Sequence, residues 1–268
     1  MQTVYIGNTL INDVMLGSQR MDDVLQNTNL LIEYLIVAGG GAGGAAPGFS
    51  VPGSGGGGAG GLRSGSLIIP KSNTSYTVQV GAGGTGRVDN QGNNGVQSIF
   101  NAISTVGGGG GGSNNAGGGN RNGAVGGSGG GGGGTTGLLA AGTVGQGNSG
   151  SNSNGTNICG GGGGAGGDAG TGSFQGGSGS GSIWLDGLEY SIGGCGDGSS
   201  FCRMGQGAGY GNGGGGTFQE NVGKTGQNGV VKIRYAGTGS KASGGTITYS
   251  SGYTYHTFTS VATSSFTY

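Results

Sequence analysis

ISTVGGGGGGSNNAGGGNRNGAVGGSGGGGGG, residues Ile103–Gly134, is more than half glycine, and glycine makes up 80 of the 268 residues of the chain. Glycine loses the most backbone freedom on folding and brings no side chain to bury. At about 1–2 kcal/mol of entropy per ordered residue, such a stretch folds only if its backbone itself supplies the contacts. Three kinds of glycine-rich chain compete. Collagen needs glycine at every third position and abundant proline, whereas these runs have no fixed period and the chain has three prolines. A flexible linker fits any single run. It does not fit runs broken repeatedly by short apolar segments of strand character. The third kind is a polyglycine-II lattice, in which three-residue-per-turn helices lie side by side and bond through their outward-pointing N–H and C=O groups. Side chains would hold such helices apart. Runs such as Gly107–Gly112 and Gly129–Gly134 then belong in the interior, where glycine is expected all round, and Ala141–Gly155 at the periphery.

Strand signals surround the glycine. Leu31–Val37 is apolar and aromatic-rich, and a matching run, GVVKIRY (Gly229–Tyr235), lies at the far end of the glycine-rich region; the two are expected to pair. Leu62–Val80 and Ser182–Ile192 read as hairpins, the second turning at Asp186-Gly187. Val96–Val106 reads as one strand, and the Thr/Ser/Tyr-rich stretch after Gly237 as a closing hairpin. At the start, IGNTLINDVM (Ile6–Met15) and LGSQRMDDVL (Leu16–Leu25) repeat with a ten-residue period, which reads as a small β-meander too short to be stable alone. The expected class is mostly β with packed polyglycine-II helices and little or no α-helix. Its units are a β-repeat docking module at 1–28, a glycine-rich domain at 29–237 and a terminal strand module at 238–268.

Ten basic and ten acidic residues cancel, which removes the electrostatic footprint of a nucleic-acid binder. The amino terminus lacks a basic segment followed by an apolar core, so export through a signal peptide is not expected. Three cysteines, Cys159, Cys195 and Cys202, leave two outcomes open: a small loop closed between the last two, or buried thiols. Matches to GxGxxG are noise within glycine runs. NVGKT (Asn221–Thr225) lacks the glycine of a phosphate-binding loop at 218, where Phe218 stands. With one histidine and few, scattered carboxylates, neither an enzyme nor a cofactor or metal site is expected.

The order EYLIVAGGGAGG, GGLRSGSLIIP, YTVQVGAGG, FNAISTVGGGGGG and VVKIRY closely resembles the glycine-rich domain of tailed-bacteriophage virion proteins, many of them tail fibre or tail tip components. The terminal GGTITYSSGYTYHTFTS resembles a strand module of the same proteins, and the ten-residue repeat resembles those that open many of them. The resemblance implies a virion structural protein on the particle exterior, acting as a fibre or tip adhesin whose lattice-borne loops meet a glycan or outer-membrane receptor of the host. It also implies attachment to other virion proteins through 1–28, and several copies or a homo-oligomer. The alternative is a purely structural virion component, such as a capsid decoration or fibre-assembly protein. Aromatic and amide groups suit sugar recognition, so the polar loops Ser113–Asn122 and Phe201–Tyr210 supply the receptor-binding candidates Arg121, Phe201, Arg203 and Tyr210.

Overall fold

The computed structural model describes residues 29–47, 53–114, 120–154, 158–170, 176–196, 209–218 and 220–268, and the backbone of four short strands before them. Among the described residues there is no helix with internal hydrogen bonds; the architecture is all β, with antiparallel sheets. β1 (Val4–Ile6) pairs with β2 (Thr9–Ile11), and β3 (Met15–Leu16) with β4 (Gln19–Arg20). The ten-residue repeat thus yields two hairpins about one period apart, and among the described residues no ladder joins them into the expected meander.

Two sheets form the base of the molecule. The first is built from β5 (Asn29–Val37), β6 (Leu62–Pro70), β12 (Val230–Ala236), β13 (Thr246–Ser250) and β14 (Tyr253–Phe258), in the order β13-β14-β12-β5-β6. The second contains β7 (Ser75–Gln79), β8 (Ser98–Phe100), β9 (Ile103–Thr105) and β15 (Thr263–Thr267), in the order β15-β7-β8-β9. Alternation along β5 decides what lies between them. Leu30, Ile32 and Ile36 face a core shared with Val231, Ile233, Val78, Phe100 and Phe266, while Leu35 and Val37 face the opposite side. Phe266 meets Phe100 edge-on at 6.2 Å, so the last strand is part of this core.

The expected pairing of β5 with β12 is present over five residue pairs. The β13–β14 hairpin turns on Ser251 and Gly252, both at positive φ, which a two-residue turn of this hand requires. Leu62–Val80, in contrast, is not a hairpin. β6 lies against β5 and β7 against β8 and β15, because Ile69 and Val78 line the same core from facing sheets. Val96–Val106 is likewise two strands, reversed at Asn101 with φ 55°. The Asp186-Gly187 hairpin is real, formed by β10 (Ser182–Ile183) and β11 (Glu189–Tyr190), but its loop covers 184–188 rather than two residues.

At Val37 the chain leaves the sheet and enters the lattice as segment 38–46. Its N–H groups fall into three rows. Residues 38, 41 and 44 donate to the carbonyls of 61, 58 and 55; residues 39, 42 and 45 to those of 96, 93 and 90; residues 40, 43 and 46 to those of 227, 224 and 220. A repeat of three with donors on three sides is the signature of the polyglycine-II helix. The carbonyls of the same segment receive N–H groups from 108, 111 and 114, from 214 and from 84, so six chain segments surround it. Segment 53–61 is enclosed in the same way, donating to 106–112, 211–217 and 160–163 and accepting from 38–44, 128–134 and 194. Residues 107–113 and 126–134 are buried, whereas most of 141–154 are partly or fully exposed, as their compositions imply.

Glycine is not required all round, even at the centre: Ala42 and Ala59 are fully buried within these two segments. It is required where a neighbour's carbonyl approaches. A Cβ at Gly41 would lie 2.2 Å from Gly109 O, and one at Gly43 would lie 2.0 Å from Gly215 O. At Gly110 the distance to Gly92 O is 1.8 Å, and that carbonyl is backbone and cannot swing aside. Gly110→Ala should therefore cost at least about 2 kcal/mol through forced separation of the two segments, a fall of about 4–8 °C in Tm for a chain of this size. Gly239→Ala, where a Cβ meets nothing within 4 Å, should be neutral or stabilising by up to about 1 kcal/mol. Calorimetry of both variants checks the contrast, and equal melting temperatures would refute the lattice argument.

His256 tests the sheet core. It is fully buried, with Nδ1 2.7 Å from Gly244 O and Nε2 3.1 Å from Tyr235 O–H. The neutral ring satisfies both partners if Nδ1 carries the proton and Nε2 accepts. Burial holds its pKa below the ordinary 6.5, against the opposing pull of the Gly244 carbonyl. Below pH 6.5 the unfolded chain takes up a proton that the folded chain refuses, so stability is complete above that pH and declines as pH falls toward the lowered pKa, by at most about 1.4 kcal/mol per pH unit. Melting temperature should fall between pH 7 and pH 5, and His256→Gln should flatten that slope. A flat profile in the parent protein would contradict the assignment.

Candidate functional site

The lattice has two ends. Its base joins the sheets: β5 runs into 38–46, 53–61 runs into β6, and 220–229 runs into β12. From Ala38 to Gly44 the chain advances about 19 Å, at about 3.1 Å per residue. At that far, apical end the flanks of three connections come together: Pro47 and Gly53, Asn114 and Asn120, Asn154 and Ile158. The turns at Val88–Asp89 and Thr135–Thr136 lie there too, with Val88 67% exposed and Asp89 at φ 51°.

Arg121 belongs to the apical end. Its backbone carbonyl accepts from Gly133 N–H at 2.8 Å, and among the described residues its side chain reaches only a long 3.5 Å contact with Thr136 Oγ1. The flanking amides serve the lattice. Asn122 Oδ1 accepts from Leu138 N–H at 3.0 Å, and Gln91 Nε2 donates to Asn122 O at 2.7 Å. Asn94 does both jobs, accepting from Gly110 N–H at 2.8 Å and donating to Val125 O at 3.1 Å. A side-chain amide carries the donor and acceptor of a peptide group, so at a lattice edge it replaces a missing neighbour. Tyr210 lies at the base, near-parallel to Tyr190 at 6.5 Å, and is not brought together with Arg121. Phe201, Arg203 and Cys202 lie outside the described residues. Cys195 is disulfide-bonded, and the buried Cys159 thiol sits 4.0 Å from Gly134 O.

The base holds a charged cluster that the sequence reading passed over. Lys232 and Arg234 alternate along β12 and so share the outer face of the five-stranded sheet. Lys232 Nζ lies 2.5 Å from Asp186 Oδ2 and donates to Tyr190 O–H at 3.1 Å, while Tyr190 O–H donates to Asp186 at 2.6 Å. Arg234 donates to Glu33 at 2.7 Å, to Leu185 O and to Tyr255 O–H at 3.1 Å each, and stacks 4.2 Å from the Tyr253 ring. Burial opposes ionisation of Asp186, but bonds from Lys232, Tyr190 and Leu188 N–H outweigh it and hold the carboxyl below its ordinary range. Burial, then the Asp186 carboxylate, push the Tyr190 phenol well above its own. These groups are spent on one another, and they pin the β10–β11 hairpin to the sheet. Two cations two residues apart in the otherwise apolar GVVKIRY were the available signal.

Among the described residues no three His, Cys, Asp or Glu side chains gather as a metal site. No curated protein matches this chain. A family described as a glycine-rich domain matches residues 24–236, from just before β5 to the last residue of β12. That span takes in the lattice and its bracketing strands and covers more than half of the sequence, and on it the chain belongs to the glycine-rich domain family.

Proposed function

We propose that this protein is a structural component of a tailed-bacteriophage virion, carried on the particle exterior in several copies, that acts as a tail-fibre or tail-tip adhesin for a glycan or outer-membrane receptor of the bacterial host. The observation that carries the reading is the separation of the two ends: a cross-bonded frame fixed to sheets at its base, with connecting turns gathered at its apex. Loops held on a rigid scaffold can vary without disturbing it. The reading includes no enzymatic step and no cofactor. A second reading, a purely structural virion protein, draws support from the apical amides that bond the lattice and from Tyr210, which packs on Tyr190.

Under the first reading, Arg121→Ala, Phe201→Ala and Arg203→Ala together should lower adsorption of the purified protein to host cells at least tenfold while leaving Tm within about 2 °C, since the reading gives these side chains to the receptor and not to the frame. Adsorption should change little with salt, because the chain is neutral. Tyr210→Ala, in contrast, should lower Tm as well. A protein that ignores host cells, with infectivity surviving the triple change, would favour the structural reading.

The two amino-terminal hairpins are too small to be stable alone, and the reading assigns residues 1–28 to attachment within the particle. Deleting Met1–Asn27 should leave a soluble glycine-rich domain that no longer enters virions. Normal incorporation of the truncated chain would end that assignment.

A further inference from the structure

Where the lattice meets the free edge of β6 there is an open cleft of about 550 Å³, bordered by Tyr34, Arg63, Ser64, Ile103, Gln146 and Asn148 among others. Its volume falls within the range of about 300–1,000 Å³ typical of small-molecule sites. We propose that this cleft binds an acidic saccharide. The site lies at the base, so it is additional to the apical loops of the adhesin reading.

The argument rests on which hydrogen-bonding groups remain unspent. Gln146 is only 7% exposed, and its Oε1 already accepts from Val106 N–H at 2.8 Å, while its amide N–H groups bond to none of the described residues. Leu62 N–H points away from β5, to Gln146 O at 2.9 Å. The alternation of an antiparallel ladder therefore turns both the N–H and the C=O of Ser64 outward on the same edge. The Arg63 guanidinium makes no hydrogen bond or ion pair with the described residues, and neither does the Tyr34 hydroxyl. Asn148 spends its Nδ2 on Gly164 O at 2.7 Å and keeps one acceptor, Oδ1. The edge of β6 thus offers acceptors beside its donors, but the charge has one sign: the Arg63 guanidinium is a full positive charge, and among the described residues no Asp or Glu lines the cleft.

A site with an unpaired guanidinium, among donors and acceptors of an edge strand, fits a ligand whose hydroxyls can both give and take hydrogen bonds and whose carboxylate Arg can bind through two parallel bonds. The Tyr34 ring and Ile103 supply a small apolar wall for a pyranose face. Polar groups dominate the rest of the lining, which disfavours a lipid. A sugar acid meets each of these requirements.

Isothermal titration of the full chain tests the proposal with a galacturonate trisaccharide and a sialic acid disaccharide, beside a neutral galactose trisaccharide. At least one acidic probe should bind tenfold or more tightly than the neutral one, and rising salt should weaken it through screening of the ion pair. Arg63→Ala should lose at least tenfold in affinity with unchanged Tm, and Arg63→Lys should keep part of it. Failure of both acidic probes, equal binding of the neutral sugar, or indifference to Arg63→Ala would overturn the proposal. Host-cell adsorption, measured in parallel on the triple variant of Arg121, Phe201 and Arg203 and on Arg63→Ala, reports on the adhesin reading separately, so that either can fail while the other stands.

Discussion

The fold depends on one absence. Without Cβ atoms, a three-residue-per-turn chain can be approached on every side, and each peptide group can bond to a different neighbour. A β-strand gives its peptide groups to two neighbours at most. Segment 38–46 gives and receives bonds across six. Each bond is worth only about 0.5–1.5 kcal/mol net, so the arrangement is stable as a network and not in pieces. That is why a carbonyl 1.8–2.2 Å from where a Cβ would stand, repeated from Gly41 to Gly110, constrains the sequence more tightly than apolar packing does elsewhere.

A lattice of this kind has no side-chain pattern to choose which run lies beside which, and the sheets supply that choice. Of the six segments around 38–46, five continue directly from a strand: 53–61 into β6, 81–86 from β7, 90–96 into β8, 107–114 from β9 and 220–229 into β12. Pairing β5 with β6 and β12 through ordinary side-chain alternation brings three of the glycine runs to the same starting line in defined directions. The carboxyl-terminal strands strengthen the same base, since Phe258, Phe266 and Tyr268 enter the core between the sheets. They lie beyond the family match yet belong to the structural unit that it defines.

This division explains what could be read from the sequence. The glycine runs and the abrupt change at Gly39 announce a lattice, and runs without polar residues announce its interior, because both follow from sterics that each residue carries with it. The partner of each strand was less accessible. LRSGSLIIP and SYTVQ sit close enough to suggest a hairpin, but their separation into facing sheets is decided by Phe100, Val231 and Phe266, far away in the chain. Alanine at 42 and 59 could not be placed in the interior from composition alone, since the room for a methyl depends on which way a neighbour's carbonyl faces. The asparagines were the subtlest. In sequence they suit sugar recognition, and in the fold Asn94 and Asn122 complete the backbone bonding of the lattice edge.

That use of amides bears on how such a frame tolerates change. At the centre, a peptide group lacking its partner would be buried and unbonded, which costs about 1–3 kcal/mol. Where a lattice bond ends, Asn, Gln, Ser or Asp can supply the missing partner from a side chain, as Gln146, Ser151 and Asp168 do for Val106, Gly161 and Ser149. Sequence freedom should therefore rise in steps from the inner segments to the outer ones and the apical turns, with polar residues tolerated first wherever a lattice bond ends. A recognition surface built on such a frame can change its turns without changing the frame's register, because the register is set by the sheets about 19 Å away, at about 3.1 Å per residue.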